Sequence, residues 1–268
     1  MFINSVLQKY PELKRPEALF DINNIVAQTE IWENGFVRLK QETFDSICKI
    51  PITPPFKTVW YELNSFKYDD VFFVEGMLSE HKDDFIKMSM YISGYNPHSK
   101  IRQDYATVGT VTFPISENLL INFPENSKCE LERTDVGKRE YEKVIYLCAC
   151  KVFFANALLN CKNVSTDSHI FPNRRSIQHY KRIGKPYFEK YYTLKLEVPG
   201  SKKRSEIDQN VESDGSARAF HICRGHFKIY TEANPLFGKY TGTFWWNSQV
   251  RGDIKTGIID KNYELKQL

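Results

Sequence analysis

The residues best able to do chemistry gather between His221 and Gly252, in the stretch HICRGHFKIYTEANPLFGKYTGTFWWNSQVRG. In a strand, alternate side chains share a face. Read that way, Arg224, His226, Lys228 and Tyr230 project to one side together with Ile222, while Cys223, Phe227 and Ile229 turn toward a core. A partner strand puts Phe244, Trp246, Ser248 and Val250 on one face and Trp245, Asn247, Gln249 and Arg251 on the other. Cations can hold a phosphate, and His or Tyr can move a proton. The pattern permits metal-independent phosphodiester cleavage. A base would take the ribose 2′-hydroxyl proton, an acid would protonate the leaving oxygen, and Arg or Lys would hold the phosphorane charge. The candidate catalytic set is therefore His226 as acid or base, Arg224, Lys228 and Arg251 as the electrostatic clamp, and Tyr230 as a proton donor. A hydrogen-bonded structural histidine is the competing reading of His226. Trp245 and Trp246 are read first as packing residues, because large aromatics bury area before they do anything else.

A second concentration lies just upstream. Lys and Arg total 37 against 33 Asp and Glu, a net charge of only +4. Yet residues 171–204 carry ten basic side chains and two acidic ones, Glu189 and Glu197. Of the ten, Arg174, Arg175, Lys181, Arg182, Lys185, Lys202, Lys203 and Arg204 are the candidate nucleic-acid contacts, with Lys190 and Lys195 completing the count. Such a basic segment in an otherwise mildly acidic chain suits phosphates or an acidic protein surface. Tyr180, Tyr187, Phe188, Tyr191 and Tyr192 are interleaved with these cations, the pairing used to stack unpaired bases. A half-buried strand flanked by a solvated loop would look the same.

Apolar residues make up 41% of the chain and aromatics 14%, enough to bury a core and to exclude collagen, coiled coil and global disorder. No apolar run is long enough to span a bilayer. The first twenty residues lack the basic, apolar and small-residue order of a signal peptide, so a reducing cytosol is the expected compartment. The six cysteines form no C-x-x-C pair and no zinc-ribbon spacing, and are read as buried free thiols. His81 beside Asp83 and Asp84 is read as a charged turn between strands rather than a metal site. No P-loop, G-x-G-x-x-G, H-E-x-x-H or G-x-S-x-G occurs, which argues against the chemistries those motifs carry. No cofactor and no metal are expected.

These residues need elements to position them. The spacing of Leu19, Phe20, Ile22, Ile25 and Val26 suggests a helix within 17–30. After the rigid PITPP entry, FKTVWYEL, VFFVEGML, FIKMSMYI, ATVGTVTF and LLINF read as successive strands, and SEHKDD reads as a hairpin loop. The apolar period from Tyr141 to Leu159 predicts a long buried helix over 138–164, the strongest element signal in the chain. YYTLKLEV, AFHICRGHFKIYT and GTFWWNSQVRG read as strands, and 201–217 as a surface loop. The expected fold is α+β, an antiparallel sheet of four or five strands packed on one long buried helix, with a C-terminal β-hairpin region. It is expected as a single domain over 1–268, with possible lobes 1–137 and 138–268.

Several of these motifs resemble a family. N-C-K-N-V at 160–164, R-I-G-K-P at 182–186 and Y-Y-T-L-K-L at 191–196 are joined by H-I-C-R-G-H-F-K-x-Y, P-L-F-G, G-T-F-W-W and Q-V-R-G. Over about Ala157 to Leu265, and more faintly at P-P-F-x-x-x-W-Y-E (54–62), the chain resembles a widespread family of uncharacterised proteins encoded by tailed bacteriophages and prophages. Gln249 stands where that family often has histidine, and Tyr187 where it often has a second proline. The resemblance implies a viral origin and a host cytoplasm, and no particular reaction. The leading expectation is thus a phage accessory protein that binds nucleic acid or a nucleic-acid-handling host complex, without a membrane. The alternatives are the RNase-like enzyme above and a non-catalytic inhibitor of a host anti-phage defence protein.

Overall fold

A computed structural model describes residues 2–10, 13, 15–23, 30–33, 36–39, 47–50, 53–68, 71–95, 102–115, 127–132, 138–171, 174–184, 187–197, 219–223, 225–246, 249–251 and 253–258. For some of these, including Arg174, 219–223, 249–251 and 253–258, only the backbone is described. They fall into two units, Met1–Leu196 and Glu197–Leu268.

The first unit runs α1 (Phe2–Lys9), β1 (Ala18–Asp21), β2 (Glu30–Glu33), β3 (Phe36–Leu39), β4 (Thr58–Tyr68), β5 (Val71–His81), β6 (Phe85–Tyr95), β7 (Arg102–Pro114) and β8 (Lys128–Leu131). It continues with α2 (Lys138–Leu159), β9 (Val164–Ile170), α3 (Arg174–Arg182) and β10 (Lys190–Leu196). Eight strands form one sheet in the order β8-β7-β6-β5-β4-β1-β10-β9. From β4 to β7 it is the expected antiparallel meander, in which each apolar run pairs with the next, and β8, which the sequence did not suggest, adds an antiparallel edge strand. The turn between β5 and β6 is only Lys82–Asp84; Ser79, Glu80 and His81 of the expected SEHKDD loop are strand residues paired with β6. Beyond β4 the sheet changes character. β1 lies parallel between β4 and β10, and β9 closes the edge antiparallel to β10. The fold is α+β, with a larger and mixed sheet where four or five antiparallel strands were expected.

Cross-strand partners share a face, so the register sorts the side chains. Tyr61 pairs with Met77, Met77 with Met90, and Met90 with Gly109. α2 packs on this face, from β4 to β9. At about 1.5 Å per residue its 22 residues span about 33 Å. Eight strands at about 4.8 Å spacing span nearly the same width. The helix therefore carries the chain from the β8 edge to the β9 edge. Phe153 meets Phe113 edge-on at 4.9 Å, and Tyr61 donates a 2.6 Å hydrogen bond to Asn156 Oδ1. Residues 148–158 of α2 are buried on every side, so this half is a core helix rather than a surface stripe. Val144 in its first half is exposed, and the helix ends at Leu159, where 160–163 turn into β9.

The opposite face carries Leu19, Trp60 and Leu78, and α1 and α3 cover it with Ile3, Val6, Leu7 and Ile177. Here the helical spacing noted after Glu17 is overridden. Ala18–Asp21 forms β1 instead, because both faces of the sheet centre need apolar cover and Leu19 and Phe20 supply one side each. LLINF and the loop 201–217 lie outside the described residues.

The second unit contains β11 (Ala219–Cys223), β12 (His226–Tyr230), β13 (Gly242–Trp246), β14 (Gln249–Arg251) and β15 (Asp253–Ile258). β12 and β13 form an antiparallel hairpin, and β14-β11-β15 form a separate three-stranded sheet.

Candidate nucleic-acid interface

The basic segment contains a helix that periodicity alone passes over. α3, RRSIQHYKR, holds no acidic residue. Ile177 is its buried anchor, packing with Phe171, Phe188 and α1. Arg175, Gln178, His179, Lys181 and Arg182 face out. The final turn carries His179, Lys181 and Arg182, cations placed where the helix dipole is negative. Gly184 adopts φ +65° and ends the helix, its N–H bonding to the Lys181 carbonyl at 3.3 Å. Pro172 before it and that glycine after it are start and stop signals that could have marked the helix in the sequence.

Arg175 and Arg182 are seven residues apart, two turns along one face and about 10 Å along the axis. At about 3.4 Å of axis per phosphate on one strand, both can engage a single backbone. Lys181 is different. It forms an ion pair with Glu189 and sits 5.5 Å over the Tyr187 ring. The Glu189 carboxylate holds the Lys181 ammonium above its usual range, and the ammonium holds Glu189 below the usual carboxylate range. Lys181 thus ties α3 to the segment before β10. Arg174 lies in the first turn of α3; Lys185, Lys202, Lys203 and Arg204 lie outside the described residues.

The segment after α3 is anchored from three directions. Asn4 of α1 brackets Phe188, accepting its N–H at 2.7 Å and donating to its carbonyl at 3.5 Å. Phe171 donates its N–H to the Glu189 carbonyl at 3.0 Å. Arg15 donates to the Tyr187 carbonyl at 2.8 Å and lays its guanidinium over the Phe188 ring. Sequence reasoning missed Arg15 and Asn4, whose partners lie 172 and 184 residues away. No local spacing signals such a contact.

In the second unit, the register places His226, Lys228 and Tyr230 on one face of the hairpin, as strand alternation predicts. Phe244 and Trp246 share that face, being paired with Lys228 and His226. The Lys228 ammonium lies 4.9 Å from the Tyr230 ring centroid, and Tyr230 packs edge-on against Phe244. The supposed clamp and the supposed proton donor are thus each other's neighbours. Ile229, expected to point to a core, is 58% exposed. Arg251 stands on β14 opposite His221, in the other sheet, and Arg224 lies outside the described residues. Trp245 is buried and packs with its ring tilted against Phe227, which is the packing role expected of it.

Cys48, Cys129, Cys148, Cys150 and Cys161 form no disulfide; the last three are buried as expected, whereas Cys48 and Cys129 are half-buried. Burial pushes Cys150 and Cys161 up to about 12, which keeps both protonated and unreactive. Among the described residues no helix is long and apolar enough to cross a membrane. Compared with family models, curated proteins and solved structures, the chain matches none.

Proposed function

We propose that this chain binds nucleic acid through the outer face of α3, as an accessory protein of the kind tailed phages encode and in a host cytoplasm. The observation that carries the reading is a solvent-facing helix of basic and polar residues with no carboxylate, seated on the core by Ile177. Arg175 and Arg182 supply phosphate contacts. Such contacts position a strand without reading its sequence. Lys181, paired with Glu189, contributes less.

The test is fluorescence anisotropy of the full chain with labelled single-stranded and duplex DNA and RNA across a salt series. Binding that weakens steeply with salt is expected. The double reversal Arg175→Glu with Arg182→Glu is expected to weaken it by at least about tenfold and to flatten the salt slope by about two. No affinity for any of the four ligands at low salt overturns the reading, as does binding that the double reversal leaves unchanged.

A further inference from the structure

We infer that a hollow at the start of β1 and β10 is a binding site for one nucleoside phosphate unit, an unpaired nucleotide of the strand held by α3. The inference deepens the reading of α3 and rests on it. The hollow measures about 370 Å³ and lies between residues 15–19 and 187–192. That falls at the small end of the volumes that enclose organic ligands, roughly 300–1,000 Å³.

Its wall is preorganised. Asn4 and Phe171 fix the backbone of Phe188 and Glu189, as described above. Arg15 is held by the Tyr187 carbonyl and the Phe188 ring. A guanidinium has five N–H donors, and no other acceptor among the described residues takes those that remain. Lys190 is exposed at the same rim and forms no ion pair among the described residues. Together they offer charge-assisted donors to a phosphate.

The rest of the lining suits a base. Tyr187 and Tyr192 are half-buried and line the hollow, Tyr187 with Lys181 over its ring and Tyr192 packed against Phe20, so that their remaining ring surface is what a base would meet. The charge of Glu189 is answered by Lys181. Glu17 keeps an exposed carboxylate with no ion pair among the described residues. A carboxylate accepts amino and imino hydrogens from a base edge. Guanine presents these side by side and uracil does not, so a guanine nucleotide is preferred. The Lys181–Tyr187 contact makes the hollow continuous with α3, so one strand can lie on the helix and place a terminal base inside.

Isothermal titration of the full chain with GMP, UMP and inorganic phosphate at low salt tests the site. GMP is expected to bind at least about tenfold more tightly than phosphate, the excess being base stacking. It is also expected to bind more tightly than UMP. Arg15→Lys and Lys190→Ala are each expected to weaken GMP about tenfold, with the thermal midpoint of Lys190→Ala unchanged. A short RNA duplex with a single overhanging G is expected to bind more tightly than its blunt form, and only the overhang's gain should vanish in the two variants. GMP binding no tighter than phosphate, or unaltered in both variants, overturns the site. Blunt duplex binding that the overhang does not improve overturns it too and leaves α3 standing. Variant-sensitive GMP binding without any strand binding supports the hollow as a free-nucleotide site and overturns the reading of α3.

Discussion

Asn4 and Arg15 show how single side chains hold this protein's candidate surface. Asn4 uses both ends of its amide on the backbone of Phe188, replacing the pairing that a neighbouring strand would give. Its residue is 8% exposed, so water cannot substitute fully when the amide is removed. Asn4→Ala is expected to lower the unfolding free energy by about 1–3 kcal/mol, the cost of leaving buried backbone groups unsatisfied. Denaturant melts with an unchanged m-value would measure it. The expected catalytic residues contrast with this. Alternation correctly puts His226, Lys228 and Tyr230 on one face, because a strand's period of two depends only on neighbours. Arg251 follows no such local rule, since the strand pairing decides which sheet carries it.

Among the elements, α2 was the most legible, because its apolar residues recur at three and four over several turns. α3 was not, because Ile177, its one aliphatic residue, is too little apolar content to generate a period in nine residues. β9 was hidden for a related reason. VSTDSHI is a polar edge strand, and only its ladder with β10 makes it a strand. The seam between α2, β7 and β8 is tightly packed at Gly109. At Gly109 an added Cβ would stand 2.5 Å from the Glu130 carbonyl oxygen and 2.9 Å from Ile145 Cδ1. Backbone on one side and a buried side chain on the other leave no room to yield. Gly109→Ala is therefore expected to destabilise the protein by about 1–3 kcal/mol or more, as overpacking does, with the loss read from the thermal midpoint and near-UV circular dichroism.

For the molecule as a whole, one buried carboxyl near the sheet centre makes stability depend on pH. Glu62 on β4 is 5% exposed and accepts the Ile3 N–H of α1 at 3.1 Å. Burial pushes it up to about 7 from an ordinary 4.5, and the adjacent Asp21 adds to the rise while the Ile3 N–H opposes it. The folded state therefore holds the Glu62 proton more tightly than the unfolded chain. Its contribution is full below about pH 4.5 and is lost as pH rises through about 7, a difference of about 3 kcal/mol at 1.36 kcal/mol per pH unit. Glu62→Gln keeps an acceptor for Ile3 and removes the titration. Its unfolding free energy is expected to lack this decline between pH 5 and 8 and to exceed that of the native chain at the upper end, measured by urea melts at each pH.

Charge placement, the α+β class, the meander from β4 to β7 and the long helix were all readable from residue order. Each depends on periodicity or composition within a few turns or one hairpin. The insertion of β1 between β4 and β10, the pinning of the 187–189 segment, and the convergence of Arg15 with Lys190 emerged only in three dimensions. The pairing of β1 with β10, and the bonds of Asn4 to Phe188 and of Arg15 to Tyr187, join residues more than 150 positions apart. Their energy comes from burial and hydrogen bonding that exist once the sheet has closed, and no local pattern in the chain is required to announce them.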